Sequence, residues 1–404
     1  MTDVTDPAPG PIEPSGRRRD RRRTSRPTVG TTTRVTAGST LLRVEDLHTS
    51  FAMPFGEVKA VSGVSFSLRH GRTLGIVGES GSGKTVLVRS IMRLNLGSNV
   101  TTTGTVEFNG RELLGIPMRQ MQDLWGPELA MVFQDPMTSL NPLVRVSRQV
   151  TEHLHRHLGV SRDQARQTAL ELMREVRIPE PETRLRAFPH ELSGGMRQRV
   201  CIAIALACEP TLLFADEPTT ALDVTVQHQI LNLLGREKQE RDMTMVLVTH
   251  DLGVVAGRTD DTMVMYAGKV VEQAPTATLF AEMRHPYSEA LLRSIPRIGQ
   301  PSHTRLIAIT GRPPDPVNLP AGCAFSPRCP HVQQRCREER PLLTAEDDSS
   351  HQVACWFPAG TDRGREAFAR NIADRLPQAV VVAEGAESST GAGSTGQPSE
   401  DGGN

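Results

Sequence analysis

The stretch Leu74-Gly75-Ile76-Val77-Gly78-Glu79-Ser80-Gly81-Ser82-Gly83-Lys84-Thr85 constrains the fold of this chain more than any other. A short apolar run that stops at a glycine-rich loop has the pattern of a buried parallel strand feeding a helix. The loop from Gly78 to Thr85 fits the P-loop pattern. Its glycines let the backbone curl until N–H groups face phosphate oxygens, and the helix start behind it adds positive potential. In such a loop Lys84 reaches the β- and γ-phosphates, and the Thr85 hydroxyl binds Mg²⁺. A flexible Gly/Ser turn would account for the composition alone, but not for the strand before it and the helix after it. Gly78, Glu79, Ser80, Gly81, Ser82, Gly83, Lys84 and Thr85 are therefore expected to hold a nucleoside triphosphate.

A strand–loop–helix needs a layered core around it, and the rest of the chain supplies one. Leu41–Val44 is strand-like, Val61–Leu68 alternates apolar and polar residues, and Thr211–Ala215 and Met243–Val248 are further buried runs. Strands alternating with helices predict an α/β core. Residues 136–189 contain no strand-like run and read as a helical insertion, clearest at Gln164–Val176. Leu212-Leu213-Phe214-Ala215-Asp216-Glu217 ends an apolar strand on two acids, at the sheet edge where α/β ligands bind. Asp216 suits the Mg²⁺ shell and Glu217 the general base that orients the attacking water.

Composition excludes several classes. The chain has 404 residues, 46 basic and 46 acidic, so its net charge is zero, which disfavours a dedicated nucleic-acid binder. No stretch approaches the ~18 apolar residues that cross a bilayer, and no signal-peptide pattern opens the chain, so a secreted or membrane-spanning protein is not expected. Residues 1–40, with the run Arg17–Arg23, read as a disordered Arg/Pro/Thr-rich tail, and 359–404 as a mostly disordered one.

Between the P-loop and the acidic strand lies Leu192-Ser193-Gly194-Gly195-Met196-Arg197-Gln198-Arg199. Ser193, Gly194 and Gly195 open a long apolar helix (Val200–Cys208) with a hydroxyl and bare N–H groups free for a second anion. With this string in that place the sequence resembles the ATP-binding cassette (ABC) ATPases, over roughly residues 41–290, and further residues match the family's pattern in family order. Gln134 matches the glutamine that contacts Mg²⁺ and the water, Ala221-Leu222-Asp223 the D-loop, and His250 the switch histidine at the γ-phosphate. Phe51 matches the aromatic that stacks on adenine, with Phe55 as its rival. The resemblance implies a P-loop NTPase fold of the ABC nucleotide-binding type over 41–284, with an antiparallel β subdomain and a helical subdomain at about 136–195. It also implies head-to-tail pairing, with ATP between the P-loop of one domain and the signature of another. Only one P-loop is present, so the second must come from another polypeptide.

Phe133-Gln134-Asp135-Pro136-Met137-Thr138-Ser139-Leu140-Asn141-Pro142, Phe188–Ser193, His285-Pro286-Tyr287 and Gly311-Arg312-Pro313-Pro314 are similar to the oligopeptide/dipeptide (and nickel) importer branch. That branch implies an ATPase subunit at the cytoplasmic face of the inner membrane. Its partners would be a second, different ATPase chain, two transmembrane permease subunits docked on the helical insertion, and indirectly an external solute-binding protein. Cargo would be oligopeptides or dipeptides, with nickel or another small solute as the alternative. A soluble ABC ATPase acting on nucleic acid or ribosomes is the second class; it usually has two cassettes or a long coiled coil, and neither is present. The region 285–358 carries Cys323, Cys329, Cys336 and Cys355, whose spacing lacks the tight pairs of zinc ribbons. In the importer branch such a pattern implies a [4Fe–4S] cluster; structural zinc and four free thiols stay open. Cys201 and Cys208 read as core packing.

Overall fold

The computed structural model describes residues 38–220, 222–295, 309–345 and 350–373. Most of the two expected tails, the arginine run Arg17–Arg23 and Ala221 lie outside the described residues. In chain order come β1 (Thr40–Met53), β2 (Gly56–Arg69), β3 (Thr73–Val77), α1 (Lys84–Ile91), β4 (Val100–Phe108), β5 (Arg111–Glu112), α2 (Met118–Leu124) and β6 (Leu129–Val132). Helices α3 (Pro136–Ser139), α4 (Val146–Leu158), α5 (Arg162–Glu175) and α6 (Pro181–Arg186) follow with no strand among them, and then α7 (Gly194–Leu206). Alternation resumes with β7 (Leu212–Asp216), α8 (Val224–Glu240), β8 (Thr244–Thr249), α9 (Leu252–Val255), β9 (Asp261–Tyr266), β10 (Lys269–Pro275), α10 (Thr276–Ala281) and α11 (Pro286–Arg293). The cysteine-bearing region adds α12 (Gln334–Glu338), β11 (Thr344–Ala345), β12 (Gln352–Val353) and α13 (Asp362–Ala373).

Two sheets organise these elements. One is antiparallel, in the order β2-β1-β4-β5, and its pattern is legible in β2, where Val61, Val64, Phe66 and Leu68 are buried and Ser65 and Ser67 exposed. The other runs β11-β12-β10-β9-β3-β8-β7-β6, with β9, β3, β8, β7 and β6 parallel. Every residue of β3, β7 and β8 is buried, as a strand covered on both faces requires. Successive side chains serve different cores. Leu213 and Ala215 of β7 pack with the helical insertion, whereas Leu212 and Phe214 pack with the antiparallel sheet.

The helical insertion is built from local signals. Ser161 caps α5 through a reciprocal bond with Gln164, which starts the helix at Arg162, two residues ahead of the apolar period at Gln164. Ser193 caps α7, its Oγ accepting from the Met196 N–H at 3.3 Å, so this helix also begins earlier than its apolar stretch. The cysteine-bearing region is joined to the large sheet. Strand β12 pairs with β10, and Phe325 shares a core with Val77, Tyr266 and Tyr287. Glu272 of β10, fully buried, accepts from the N–H groups of Arg284 (2.6 Å) and His285 (3.1 Å) and pairs with His351 Nε2 (2.8 Å).

Candidate active site

Four adjacent parallel strands deliver the site. At their C-terminal ends, β3 leads into Gly78, β6 is followed by Gln134, β7 ends on Asp216 with Glu217 next, and β8 is followed by His250. The loop after β3 needs its glycines for two different reasons. Gly83 has φ near 100°, and a Cβ there would lie 2.3 Å from the Ala60 carbonyl oxygen. A Cβ on Gly78 would come within 2.2 Å of the Met265 carbonyl oxygen.

The lysine curls back into this loop. Lys84 Nζ donates to the carbonyls of Gly78 (2.7 Å) and Glu79 (3.0 Å) and lies 3.9 Å from Glu217 Oε1. Burial holds its pKa below the ordinary value, while Glu217, Asp216 and Glu79 oppose that shift. Thr85 Oγ1 donates to Asp216 Oδ1 at 3.0 Å. The other carboxylate oxygen, Oδ2, is buried with no partner, and burial raises the pKa of this acid. A hydroxyl and an orphaned carboxylate oxygen side by side fit a hard divalent cation such as Mg²⁺, which would take both as ligands.

Glu217 is the hub. Its Oε2 accepts from Gln134 Nε2 (2.9 Å) and Thr220 Oγ1 (2.9 Å) and lies 3.2 Å from His250 Nδ1. The histidine, foremost, keeps the carboxyl below its usual range, and the carboxylate raises the imidazole in turn. Glu217 has φ 43°, the left-handed region that a non-glycine residue seldom occupies. Such a constellation holds an ionised carboxylate, an ammonium group and a cation-ready acid on one loop edge, which suits water activation beside a phosphoryl group.

Lys84, Thr85, Gln134, Asp216, Glu217 and His250 are thus brought together. Ser193 and Gly194 are exposed, and Gly194 and Gly195 lie against Leu222 and Val226 rather than the P-loop. Asp223 is exposed and caps α8, its Oδ1 accepting from the Val226 N–H. A cavity of about 340 Å³ adjoins the loop, bounded by Val58, Ala60, Ser80, Ser82, Pro313 and Pro316. Neither Phe51 nor Phe55 lines it. Phe51 is half-buried in β1, opposite Val58, and Phe55 is exposed in the following turn. Two participants escaped sequence reasoning. Thr220 follows the acid pair by three residues and is visible only as a hydroxyl near it. Arg328 reaches the loop from 249 residues away, with no local signal.

The four late cysteines are free and lie close enough to influence one another's charge. Backbone hydrogen bonds from Phe325, His331 and Phe357 reach Cys323, Cys329 and Cys355. Burial outweighs them and pushes the thiols up, Cys329 to about 12. The donor set suits a soft metal or an iron–sulfur cluster. Among the described residues, however, no group of three or more His, Cys, Asp or Glu side chains is arranged to hold a metal ion. Cys201 and Cys208 are buried in the signature helix region, as expected of packing residues.

Comparison with known proteins agrees with this geometry. Residues 61–220 match the ABC transporter family model, and residues 271–336 match the oligopeptide/dipeptide transporter C-terminal region. The chain is 48% identical over 302 residues to the oligopeptide transport ATP-binding protein OppD of Salmonella typhimurium, covering 75% of this chain and 90% of that protein. It is 45% identical over 325 residues to the dipeptide transport ATP-binding protein DppD of Escherichia coli, covering 80% and 98%. Among solved structures, a dimeric post-hydrolysis state of the ATP-binding cassette MJ0796 bound to ADP and Pi superposes with a TM-score of 0.53 at 27% identity, covering 58% of this chain and 99% of that one. With a P-loop, acid pair and histidine on adjacent strand ends, and relatives this similar over nearly their whole length, the chain belongs to the ABC transporter ATPases, in the branch that carries the oligopeptide/dipeptide transporter C-terminal region.

Proposed function

We propose that this chain hydrolyses ATP to drive import of oligopeptides or dipeptides, as a peripheral subunit on the cytoplasmic face of the inner membrane. The observation that carries the cargo is the C-terminal region, residues 271–336, shared with relatives named for oligopeptide and dipeptide transport. No helix among the described residues is long and apolar enough to cross a membrane. A companion ATPase chain, two permease subunits and an external binding protein complete the machine.

In the reaction Lys84 binds the β- and γ-phosphates, moving off the Gly78 and Glu79 carbonyls it now occupies. Thr85, Asp216 and Gln134 would hold Mg²⁺, which would supply charge neutralisation at the phosphates. Glu217 orients the attacking water and takes its proton, and His250 contacts the γ-phosphate. Ser193, Gly194 and Gly195 serve the triphosphate on a companion's P-loop, with Asp223 at the same junction. Closure of the pair thereby makes hydrolysis conditional on assembly.

Cys323, Cys329, Cys336 and Cys355 are the residues that would hold a [4Fe–4S] cluster, or zinc, and such a group would staple the extension. Iron, sulfide and zinc analysis of anaerobically purified protein decides between them, and a metal-free, folded extension would remove the proposal. For the cargo, proteoliposomes carrying the full complex are tested with labelled peptides of two to five residues and with Ni²⁺. ATP-dependent peptide uptake is expected. Uptake of Ni²⁺ alone, or of nothing, would overturn the peptide reading.

A further inference from the structure

Glu79 poses a chemical problem for the nucleotide site. A carboxylate on the second residue of a phosphate-binding loop repels a triphosphate. The C-terminal part of the chain takes up both its side chain and its N–H. Arg328 Nη1 donates to Glu79 Oε2 at 2.7 Å and Nη2 to Oε1 at 3.0 Å, a two-pronged pair. The Glu79 N–H donates to Tyr287 Oη at 2.7 Å.

The arginine is held by several contacts besides Glu79. Its side chain is 3% exposed, Nε donates to the Thr310 carbonyl (3.1 Å), and Nη1 lies 3.3 Å from Tyr266 Oη. The guanidinium carbon sits 5.9 Å and 6.0 Å from the ring centres of Tyr266 and Phe325. Gly311, with φ near 81°, passes so close that a Cβ would lie 3.3 Å from Arg328 Cγ. A buried, pre-set guanidinium whose charge goes to one carboxylate is costly to keep unless that carboxylate must be silenced.

We propose that Arg328 is a positioning residue of the nucleotide site, supplied by the C-terminal extension, that cancels the Glu79 charge and sets the P-loop for a triphosphate. The proposal rests on the P-loop being the nucleotide site, and it makes the extension part of that site rather than an appendage. Removing one member of the pair then moves affinity in a direction set by charge: loss of the arginine bares an anion, and loss of the glutamate bares a cation.

Equilibrium binding of Mg-ATP, Mg-ADP and adenosine to the full chain tests this. Arg328→Gln is expected to weaken Mg-ATP by about tenfold and adenosine hardly at all, with the defect shrinking in salt. Glu79→Gln is expected to tighten Mg-ATP by about threefold, and the double variant to return to within about threefold of the parent. Arg328→Lys, which keeps the charge and loses the fork, is expected to retain affinity within about threefold and serves if Arg328→Gln does not fold. Weaker binding in Glu79→Gln, a double variant no better than Arg328→Gln, or a tenfold loss in folded Arg328→Lys would overturn the proposal. Failure of the parent chain to bind Mg-ATP would instead strike the site assignment itself.

Discussion

Glu217 shows how one side chain ties a site together. Its oxygens meet Gln134, Thr220, His250 and Lys84, and its backbone sits in a left-handed conformation that costs about 1–3 kcal/mol. Replacing it by glutamine keeps the shape and removes the base. Glu217→Gln is expected to lower ATP turnover by about 10²–10⁴-fold while Mg-ATP still binds, as single-turnover and binding measurements would report. The pair with His250 also titrates. Because the imidazole is raised, its share of the contact is present at low pH and lost as pH rises through that raised value. Because the carboxyl is lowered, its share is lost only as pH falls through the lowered value, so the pair is whole between the two. An NMR titration should place the His250 midpoint above the ordinary value of about 6.5, and Glu217→Gln should bring it down. Glu217 was legible because it follows an apolar strand, and Gln134 and His250 because they match the ABC family's pattern. Thr220 was not, since a hydroxyl three positions on carries no pattern.

At the scale of elements, legibility followed burial. Strands β3, β7 and β8 are buried throughout and stood out as apolar runs; the two-residue strands β11 and β12 carry no period at all. The start of α5 was read two residues late, because Ser161 acts by capping, which precedes the apolar repeat, whereas Ser193, Gly194 and Gly195 open α7 where the sequence placed them. What joins β12 to β10 is chiefly polar. Glu272 gathers Arg284, His285 and His351 in a fully buried position, a long-range meeting no local spacing announces. Glu272→Ala removes the acceptor shared by those donors and should destabilise the fold by about 3 kcal/mol. Hydrogen exchange should then rise first at residues 352–353 and 269–275, and uniform protection there would contradict this account.

Across the whole molecule, the P-loop, acid pair and histidine converge on one sheet edge, whereas Ser193 and Gly194 face outward. Ser193 and Gly194 are exposed beside Leu222, and Val224 nearby is 82% exposed, a surface that a companion chain would cover. Ser193→Arg is therefore expected to cut ATP hydrolysis by the assembled complex about hundredfold, while the chain's own P-loop still loads with Mg-ATP in equilibrium binding. Equal losses of binding and turnover would mean that the two motifs serve one pocket. The sequence showed both motifs and their order, but not that the extension closes the sheet edge and reaches the P-loop. The span of 249 residues between Glu79 and Arg328 has a further consequence for biosynthesis. A nascent chain emerges from the ribosome glycine loop first, and the arginine that quiets its glutamate follows only when most of the polypeptide is out. If Arg328 sets the P-loop as proposed, the unfinished cassette is until then a poor trap for cellular ATP, and a prematurely terminated product would squander little of it.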